Sequence, residues 1–396
     1  MTTFNRSPTL RPNIDALTSL RFFAALYVML FHFGAGFAER AELSEFIVTF
    51  LHNGWFGVST FFVLSGFILA YTYREGVAGP RSLFDFAVAR VARLYPVYVL
   101  ALIVALPLLA SELEFWPAAK TLLLVQSWGS VESSAGNYWL TPAWSLSVET
   151  FFYVLFPSLM YALRRIGRVQ AWIGIMVVAV LMVVLESPLL RPAMTPPTFF
   201  SWLTYVPLPI YRLPEFIYGV LLCKLFLSAS GSSRPIQSSI VAVGVLLIFL
   251  LGVAQGPLLS VGTLLVGVLI YLLAKKADGF VTRIMSSRVL VALGGASYAI
   301  YLLHEPIREW VRVLIPSPTI GRLLYPFVVI LVSLFVFYLY EQPARRLIRG
   351  VALASAARKH RDGPVVLLAE ADDGGQDSCR VTEDFTLTTQ EVEVKP

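Results

Sequence analysis

Two residues that could take part in catalysis lie inside an apolar stretch near the start of the sequence, Arg21 and His32 within residues 17–38. They are 11 residues apart, close to three turns of an α-helix. The spacing predicts that both side chains lie on one helix face, roughly 16 Å apart along the axis. An arginine within a membrane span costs about 2.5–3.5 kcal/mol on insertion scales. The pair therefore indicates a function, and the structural alternative is an arginine that snorkels to the membrane surface.

A second pair of basic residues, Arg90 and Arg93, precedes the third apolar stretch. Residues three apart share a helix face. Two guanidinium groups on one face could hold phosphates through bidentate hydrogen bonds. The structural alternative is an ordinary pair of positively charged anchors at the end of a span.

A single carboxylate, Glu149, lies within a later apolar stretch, one helical turn after Ser145. A carboxylate in the membrane is expected to be protonated or paired with a cation. The residue is therefore a candidate for catalysis, and an ion pair with an arginine of another span is the structural alternative.

Polar residues recur in two further apolar stretches. Arg212 and Glu215 are three residues apart, as are Tyr301 and His304. Ser297, Tyr301 and His304 would form one polar stripe along a helix. The structural alternatives are a self-satisfied ion pair for the first two and an interfacial histidine for His304.

The composition places the chain among membrane proteins. Of its 396 residues 57% are hydrophobic and 14% are charged, and the mean hydropathy is +0.71. Soluble proteins have about 25% charged residues. The net charge of +6 arises from basic residues between apolar stretches, which argues against nucleic-acid binding. Two cysteines and four histidines without HxxH or HxxxH spacing predict neither a disulfide framework nor a metal site.

The elements that position these residues are predicted to be about ten membrane-spanning helices in an all-α bundle. The predicted spans cover residues 17–38, 46–72, 94–110, 139–163, 170–187, 202–227, 238–254, 257–274, 289–305 and 321–343. Lysine and arginine number 18 in the terminal segments and connections on one side and 5 in those on the other. The positive-inside rule then predicts that both termini are cytoplasmic.

The sequence divides into three parts. Residues 1–16 form a polar segment predicted to be cytoplasmic, and the first span is expected to be an uncleaved anchor. Residues 17–349 form the membrane domain. Residues 350–396 are polar and acidic, which predicts a cytoplasmic and mostly disordered tail.

Seven motifs follow one another along the chain: IDALTSLR with His32, GWFGVSTFFVLSGFILAY, RVARLYP, WSLSVETFFYVLFP, RLPEFIYG, SYAIYLLH and YEQPARR. Together they resemble the motifs of the acyltransferase-3 family, the integral-membrane O-acyltransferases of bacterial polysaccharides, lipid-linked sugars and antibiotics. The resemblance covers about residues 13–349. Some members carry a fused esterase-like domain, and this chain resembles the stand-alone form.

The resemblance implies a donor and a mechanism. The donor would be an acyl-CoA, most often acetyl-CoA, delivered from the cytoplasm and held by Arg90 and Arg93. His32 would be the general base or a transient acyl carrier, supported by Glu149 as a carboxylate supports a catalytic histidine. Arg21 would stabilise charge at the thioester oxygen or bind the donor.

The resemblance also implies the acceptor and the location. A carbohydrate or glycolipid hydroxyl would accept the acyl group, with Arg212, Glu215, Tyr301 and His304 on the acceptor side. The enzyme would span the bacterial inner membrane among lipids and other envelope or polysaccharide biosynthesis proteins. Its implied cofactor set is acyl-CoA without a metal.

Three other functions remain open from the residues alone. A secondary transporter or flippase could use the Arg, Glu and His residues as a proton relay, although no internal repeat supports this class. A second membrane acyltransferase type would need a paired His and Asn in the bundle, and no such pair stands out in the sequence, in which Asn53 and Asn137 are the candidate asparagines. A structural exporter subunit would have no chemistry at all.

Overall fold

The computed structural model describes residues 14–108, 114–129, 139–186, 207–229, 237–256, 258–275 and 279–361. Every extended regular element within these ranges is a helix, which confirms the predicted all-α class. The α-helices are α1 Asp15–Arg40, α2 Glu45–His52, α3 Phe56–Thr72, α4 Pro80–Ala105, α5 Phe115–Leu122, α6 Ala143–Ala162, α7 Arg168–Leu185, α8 Leu208–Ser228, α9 Gln237–Val253, α10 Leu258–Ala274, α11 Phe280–Met285, α12 Arg288–Gly295, α13 Ser297–Leu314, α14 Pro318–Val336 and α15 Gln342–Arg361.

Six helical segments of the described chain are long and apolar enough to cross a membrane. They are Asp15–Arg40, Glu45–Thr72, Pro80–Leu108, Ala143–Arg165, Arg168–Leu185 and Pro318–Ala352. The helices α9 and α10 are apolar but shorter. The helices α8 and α13 do not qualify because each carries several charged residues. The count of ten spans and the orientation stay predictions.

The second predicted span consists of two helices rather than one. α2 ends at His52, a 3₁₀ turn follows at Asn53–Trp55, and α3 begins at Phe56. The ninth is also divided, because α12 ends at Gly295 and α13 begins at Ser297 and continues to Leu314. As a result, α13 extends well beyond the predicted end at residue 305.

Close approach of backbones places α3 at the centre of the packing. A Cβ atom added to Gly66 would overlap the carbonyl oxygen of Phe216 in α8, and one added to Gly219 of α8 would overlap the carbonyl oxygen of Val63. Small residues allow membrane helices to approach in this way. This contact brings Ser59 of α3 beside Glu215 of α8, and it confirms a packing role for Gly66.

The end of the described chain differs from its prediction in one respect. The predicted tail begins at residue 350, whereas α15 continues as a helix through Arg361. A π-helical turn at Phe337–Glu341 joins α14 to α15. The remaining tail, residues 362–396, lies outside the described residues, as do residues 1–13.

Candidate active site

A central cavity lies among α1, α3, α4, α6 and α13. Several predicted site residues line it. The polar lining residues are Arg21, Ser65, Arg90, Arg93, Ser145, Glu149, Tyr153, Ser297, Tyr298 and Tyr301.

The charges that line the central cavity are unbalanced. Three guanidinium groups, from Arg21, Arg90 and Arg93, face a single carboxylate, Glu149. Among the residues that the structure describes, no ion pair within 4.0 Å joins any of the three arginines to a carboxylate. Guanidinium groups without a counterion in a partly dehydrated cavity attract anions. The cavity can therefore hold a multiply charged anionic ligand.

Aromatic rings hold one of these guanidinium groups in place. The Cζ atom of Arg90 lies 5.4 Å from the ring centroid of Tyr153, 5.6 Å from that of Phe86 and 5.9 Å from that of Tyr73. These separations are typical of cation–π interactions. The Nε atom of Arg90 is buried and has no hydrogen-bond partner in the described chain. The rings thus orient the guanidinium group of Arg90, and its Nε–H remains available to donate a hydrogen bond to a ligand.

Glu149 is held by two hydroxyl groups on the cavity wall. Ser65 of α3 donates a hydrogen bond of 2.8 Å to its Oε1 atom, and Tyr153, one turn along α6, donates one of 2.5 Å to the same atom. The two hydrogen bonds fix the position of the carboxylate between α3 and α6. Glu149 therefore belongs to the arginine-lined cavity.

The carboxylate beside His32 is a different residue, Glu305 of α13. The Nδ1 atom of His32 lies 3.2 Å from Oε1 of Glu305, and the two side chains are 23% and 14% exposed. The predicted contact between His32 and Glu149 is wrong, because α1 packs against α13 at this level and places Glu305 there. Glu305 can therefore orient the imidazole as the prediction assigned to Glu149.

A second histidine adjoins this pair. The ring of His304 lies 5.1 Å from that of His32, centroid to centroid. The Nδ1 atom of His304 bonds to the Tyr301 carbonyl oxygen at 2.7 Å, and its Nε2 atom is buried without a partner in the described chain. Arg308 donates a hydrogen bond of 3.1 Å to the carbonyl oxygen of His32. We call His32, His304 and Glu305 the histidine cluster.

Tyr301 connects the central cavity with the histidine cluster. It lines the cavity, and its hydroxyl lies 2.7 Å from the Ser145 hydroxyl and donates to the Pro142 carbonyl oxygen at 3.1 Å. Its ring lies 6.2 Å from that of His304. One side chain thus separates the arginine-lined cavity from the imidazoles.

The predicted acceptor-side residues fall in two places. Tyr301 and His304 adjoin the histidine cluster, whereas Arg212 and Glu215 line a second cavity. There Arg212 and Glu215 form a buried ion pair of 2.8 Å, and Ser59 donates to Glu215 at 3.0 Å. The remaining lining residues are Trp55, Phe56, Met182, Leu185, Glu186, Tyr211, Leu259, Ser260 and Thr263.

Comparison with known proteins shows which family the chain belongs to. Residues 14–341 match the profile of the acyltransferase-3 family, described as an acyltransferase domain. The chain belongs to this family. The match covers nearly all of the described helices, and the acyltransferase predicted from the seven motifs is confirmed. The transporter and exporter alternatives are thereby set aside.

Curated relatives of this acyltransferase carry related names. It is 29% identical to acyltransferase MdmB of Streptomyces mycarofaciens over 316 residues, which cover 74% of this chain and 78% of that protein. It is 26% identical to the putative peptidoglycan O-acetyltransferase YrhL of Bacillus subtilis, over 74% of this chain and 48% of that protein. It is 29% identical to the exopolysaccharide production protein ExoZ of Rhizobium meliloti, over 63% of this chain and 74% of that protein. No solved structure matches the chain.

Two residues of the acyltransferase site were not among the predicted ones. Glu305 follows His304 directly in the sequence, but its place at the end of the predicted span gave no reason to pair it with a residue of the first helix. Tyr153 lies four residues after Glu149, a spacing that does bring side chains together on a helix. That spacing was a usable signal for Tyr153, and none existed for Glu305.

The histidine cluster also changes the view of metal binding. One ligand atom from each of His32, His304 and Glu305 lies within 4.8 Å of the others. The sequence predicts no metal site because its histidines lack HxxH or HxxxH spacing within one helix, whereas these three residues come from two helices, α1 and α13. They are therefore the residues of the described chain that could hold a metal ion.

Proposed function

We propose that this acyltransferase moves an acetyl group from acetyl-CoA to a hydroxyl group of a carbohydrate or lipid-linked glycan. The observation that carries the proposal is the central cavity, in which three guanidinium groups face one carboxylate. CoA carries several phosphate charges and suits such a cavity. At Tyr301 the cavity adjoins the histidine cluster, where a base is available.

Donor binding is assigned to the arginines of the central cavity. Arg90 and Arg93 bind the phosphates of CoA, and Arg21 binds the donor or stabilises charge at the thioester oxygen. Support comes from the cavity that all three line together. In the orientation that the positive-inside rule gives, with ten spans and both termini in the cytoplasm, this cavity faces the cytoplasmic supply of acetyl-CoA.

The chemical step is assigned to His32. Its imidazole removes the proton of the acceptor hydroxyl, and the oxygen attacks the thioester carbonyl carbon. The C–S bond then breaks, and the CoA thiolate takes up the proton held by the imidazole. Glu305, 3.2 Å from Nδ1, orients the ring and stabilises the imidazolium that forms. A transient acyl-histidine is the variant in which the imidazole itself attacks first.

The acceptor is assigned to the second cavity and the nearby histidine cluster. Trp55 and Tyr211 offer aromatic surfaces, and Glu215 has a buried Oε2 atom with no partner in the described chain. A few polar groups in an apolar pocket are typical of ligand sites. Among the relatives, one is named for peptidoglycan and one for exopolysaccharide, which supports a glycan acceptor. The location would be the bacterial inner membrane, beside other envelope biosynthesis proteins.

The test is acetyl transfer in isolated membranes. Membranes that contain the protein are supplied with radiolabelled acetyl-CoA, and both CoA release and label in the carbohydrate fraction are measured. His32→Ala should abolish both signals at equal protein level. His52→Ala is the matched control, because His52 also pairs with a glutamate, Glu39, at 2.7 Å but on an exposed surface. Transfer that survives in His32→Ala would refute the assignment.

A further inference from the structure

We propose that the histidine cluster binds a Zn²⁺ ion. His32, His304 and Glu305 supply two imidazoles and one carboxylate, the ligand types that three-ligand zinc sites combine. Their ligand atoms lie within 4.8 Å of one another. Magnesium and calcium prefer oxygen ligands only, so the two imidazoles favour zinc.

The orphaned nitrogen of His304 is the second observation. His304 is fully buried, and its Nε2 atom has no hydrogen-bond partner in the described chain. Its Nδ1–H donates to the Tyr301 carbonyl oxygen at 2.7 Å, which leaves the lone pair on Nε2. A backbone carbonyl on the far nitrogen is the usual support for a metal-bound histidine. A buried lone pair without a donor is costly, and a metal ion would satisfy it.

The geometry allows an ion after a small movement. A tetrahedral ion with bonds of about 2.0–2.1 Å holds its ligand atoms roughly 3.3 Å apart. His32 and Glu305 already have this separation, at 3.2 Å. The longest separation, at most 4.8 Å, must shorten by about 1.5 Å, which rotation of a side chain can supply. The partial exposure of His32 and Glu305 leaves an entry path and a fourth position for water.

The charges around the cluster permit a cation. Arg308 is the nearest positive group, and it donates to the His32 carbonyl oxygen. It pairs with Glu309, with Nε 3.1 Å from Oε1, and Glu309 is shared with Arg312, also at 3.1 Å. The ionised form of Glu305 supplies one negative charge directly to the ion.

A consequence for catalysis rests on the proposed function. Zinc on Nδ1 of His32 would place the ring proton on Nε2 and leave the imidazole no lone pair to act as a base, so it should inhibit acetyl transfer reversibly. The metal-free protein would be the active form. Zinc binding itself does not depend on this assignment.

The experiment measures zinc directly. Untagged full-length protein in detergent is stripped with a chelator, incubated with zinc sulfate and desalted, and zinc per chain is determined by mass spectrometry. We expect about one zinc per native chain, and at least about a tenfold loss of affinity in His304→Ala and in Glu305→Gln. His52→Ala, which removes the exposed pair with Glu39, should bind zinc like the native protein.

Two outcomes would overturn the site: a native protein that retains no zinc, or a Glu305→Gln variant that binds it as tightly as the native protein. Glu305→Gln preserves side-chain shape, so it tests the zinc site even if His304→Ala does not fold. Acetyl transfer is measured on the same samples with and without zinc. Zinc binding without transfer in the metal-free protein would refute the proposed function alone, and transfer without zinc binding would refute the site alone.

Discussion

The pairing of His32 with Glu305 leads to a prediction that separates the two carboxylates near the site. Glu305→Gln keeps the shape of the side chain and an oxygen that can accept from Nδ1, 3.2 Å away, but it removes the negative charge. A hydrogen bond to a charged group contributes about 1.5–3 kcal/mol, against about 0.5–1.5 kcal/mol for a neutral one. The difference is about 1–1.5 kcal/mol, with little screening because both side chains are largely buried.

That difference converts into a rate. Each 1.36 kcal/mol corresponds to about a tenfold change, so Glu305→Gln should lower kcat roughly 5- to 15-fold if the charge stabilises an imidazolium in the transition state. The loss should fall on kcat, with the KM for acetyl-CoA little changed, because Glu305 does not line the central cavity. The assay is transfer of label from acetyl-CoA in membranes at several donor concentrations.

Two variants complete this comparison. Glu39→Gln removes the carboxylate from the exposed pair with His52 and should have the native rate. Glu149→Gln should alter the KM for acetyl-CoA, because Glu149 lies among the arginines of the cavity. Native kcat in Glu305→Gln, together with a large loss of kcat in Glu149→Gln, would show that Glu149 supports His32 and that Glu305 does not.

Two further predictions concern the donor site and the packing. Arg93→Ala should raise the KM for acetyl-CoA by about tenfold or more, since an arginine–phosphate bond contributes about 1.5–3 kcal/mol. Arg164→Ala should leave this KM unchanged, because Arg164 is an exposed arginine stacked on a tyrosine. Equal KM values for the two variants would refute the assignment of Arg93 to donor binding. Gly219→Ala should destabilise the protein by about 1–3 kcal/mol or more, because the added Cβ would overlap the backbone of α3. The control is Gly244→Ala, which meets open space, and thermal unfolding in detergent is the measurement; equal melting temperatures would contradict the close contact of α3 and α8.

Residues that act through one helix were predictable from the sequence. Arg90 and Arg93 share a face because they are three apart, and both line the central cavity with Arg21. Arg212 and Glu215 form the i,i+3 ion pair that their spacing allowed. In each case the period of the α-helix determines which side chains lie next to each other, and this spacing can be read from the sequence.

Contacts between distant helices were not predictable in the same way. His32 and Glu305 are 273 residues apart, and their contact depends on how α1 and α13 pack. Glu149 was predicted to support His32 as a single carboxylate within an apolar stretch. Its apolar surroundings in the sequence indicated that Glu149 needs polar partners but not which ones. In the structure these partners are Ser65 and Tyr153.

The division of the ninth predicted span was not predictable from the sequence either. Gly294 approaches α1 so closely that an added Cβ would overlap the carbonyl oxygen of Thr18. In an apolar run a glycine of this kind looks like any other residue of the span. After this division α13 begins at Ser297, which lines the central cavity together with Tyr298 and Tyr301.

α1 sets the distance between donor binding and chemistry. It runs without interruption from Asp15 to Arg40, with Arg21 in the arginine-lined cavity and His32 in the histidine cluster. Eleven residues at about 1.5 Å each separate them by roughly 16 Å. Under the proposed function, a donor whose phosphates bind at the arginines must present its thioester about that far away, which the long, flexible pantetheine arm of CoA can do. A donor with phosphate close to its acyl group, such as acetyl phosphate, should therefore bind in the cavity without reacting at His32.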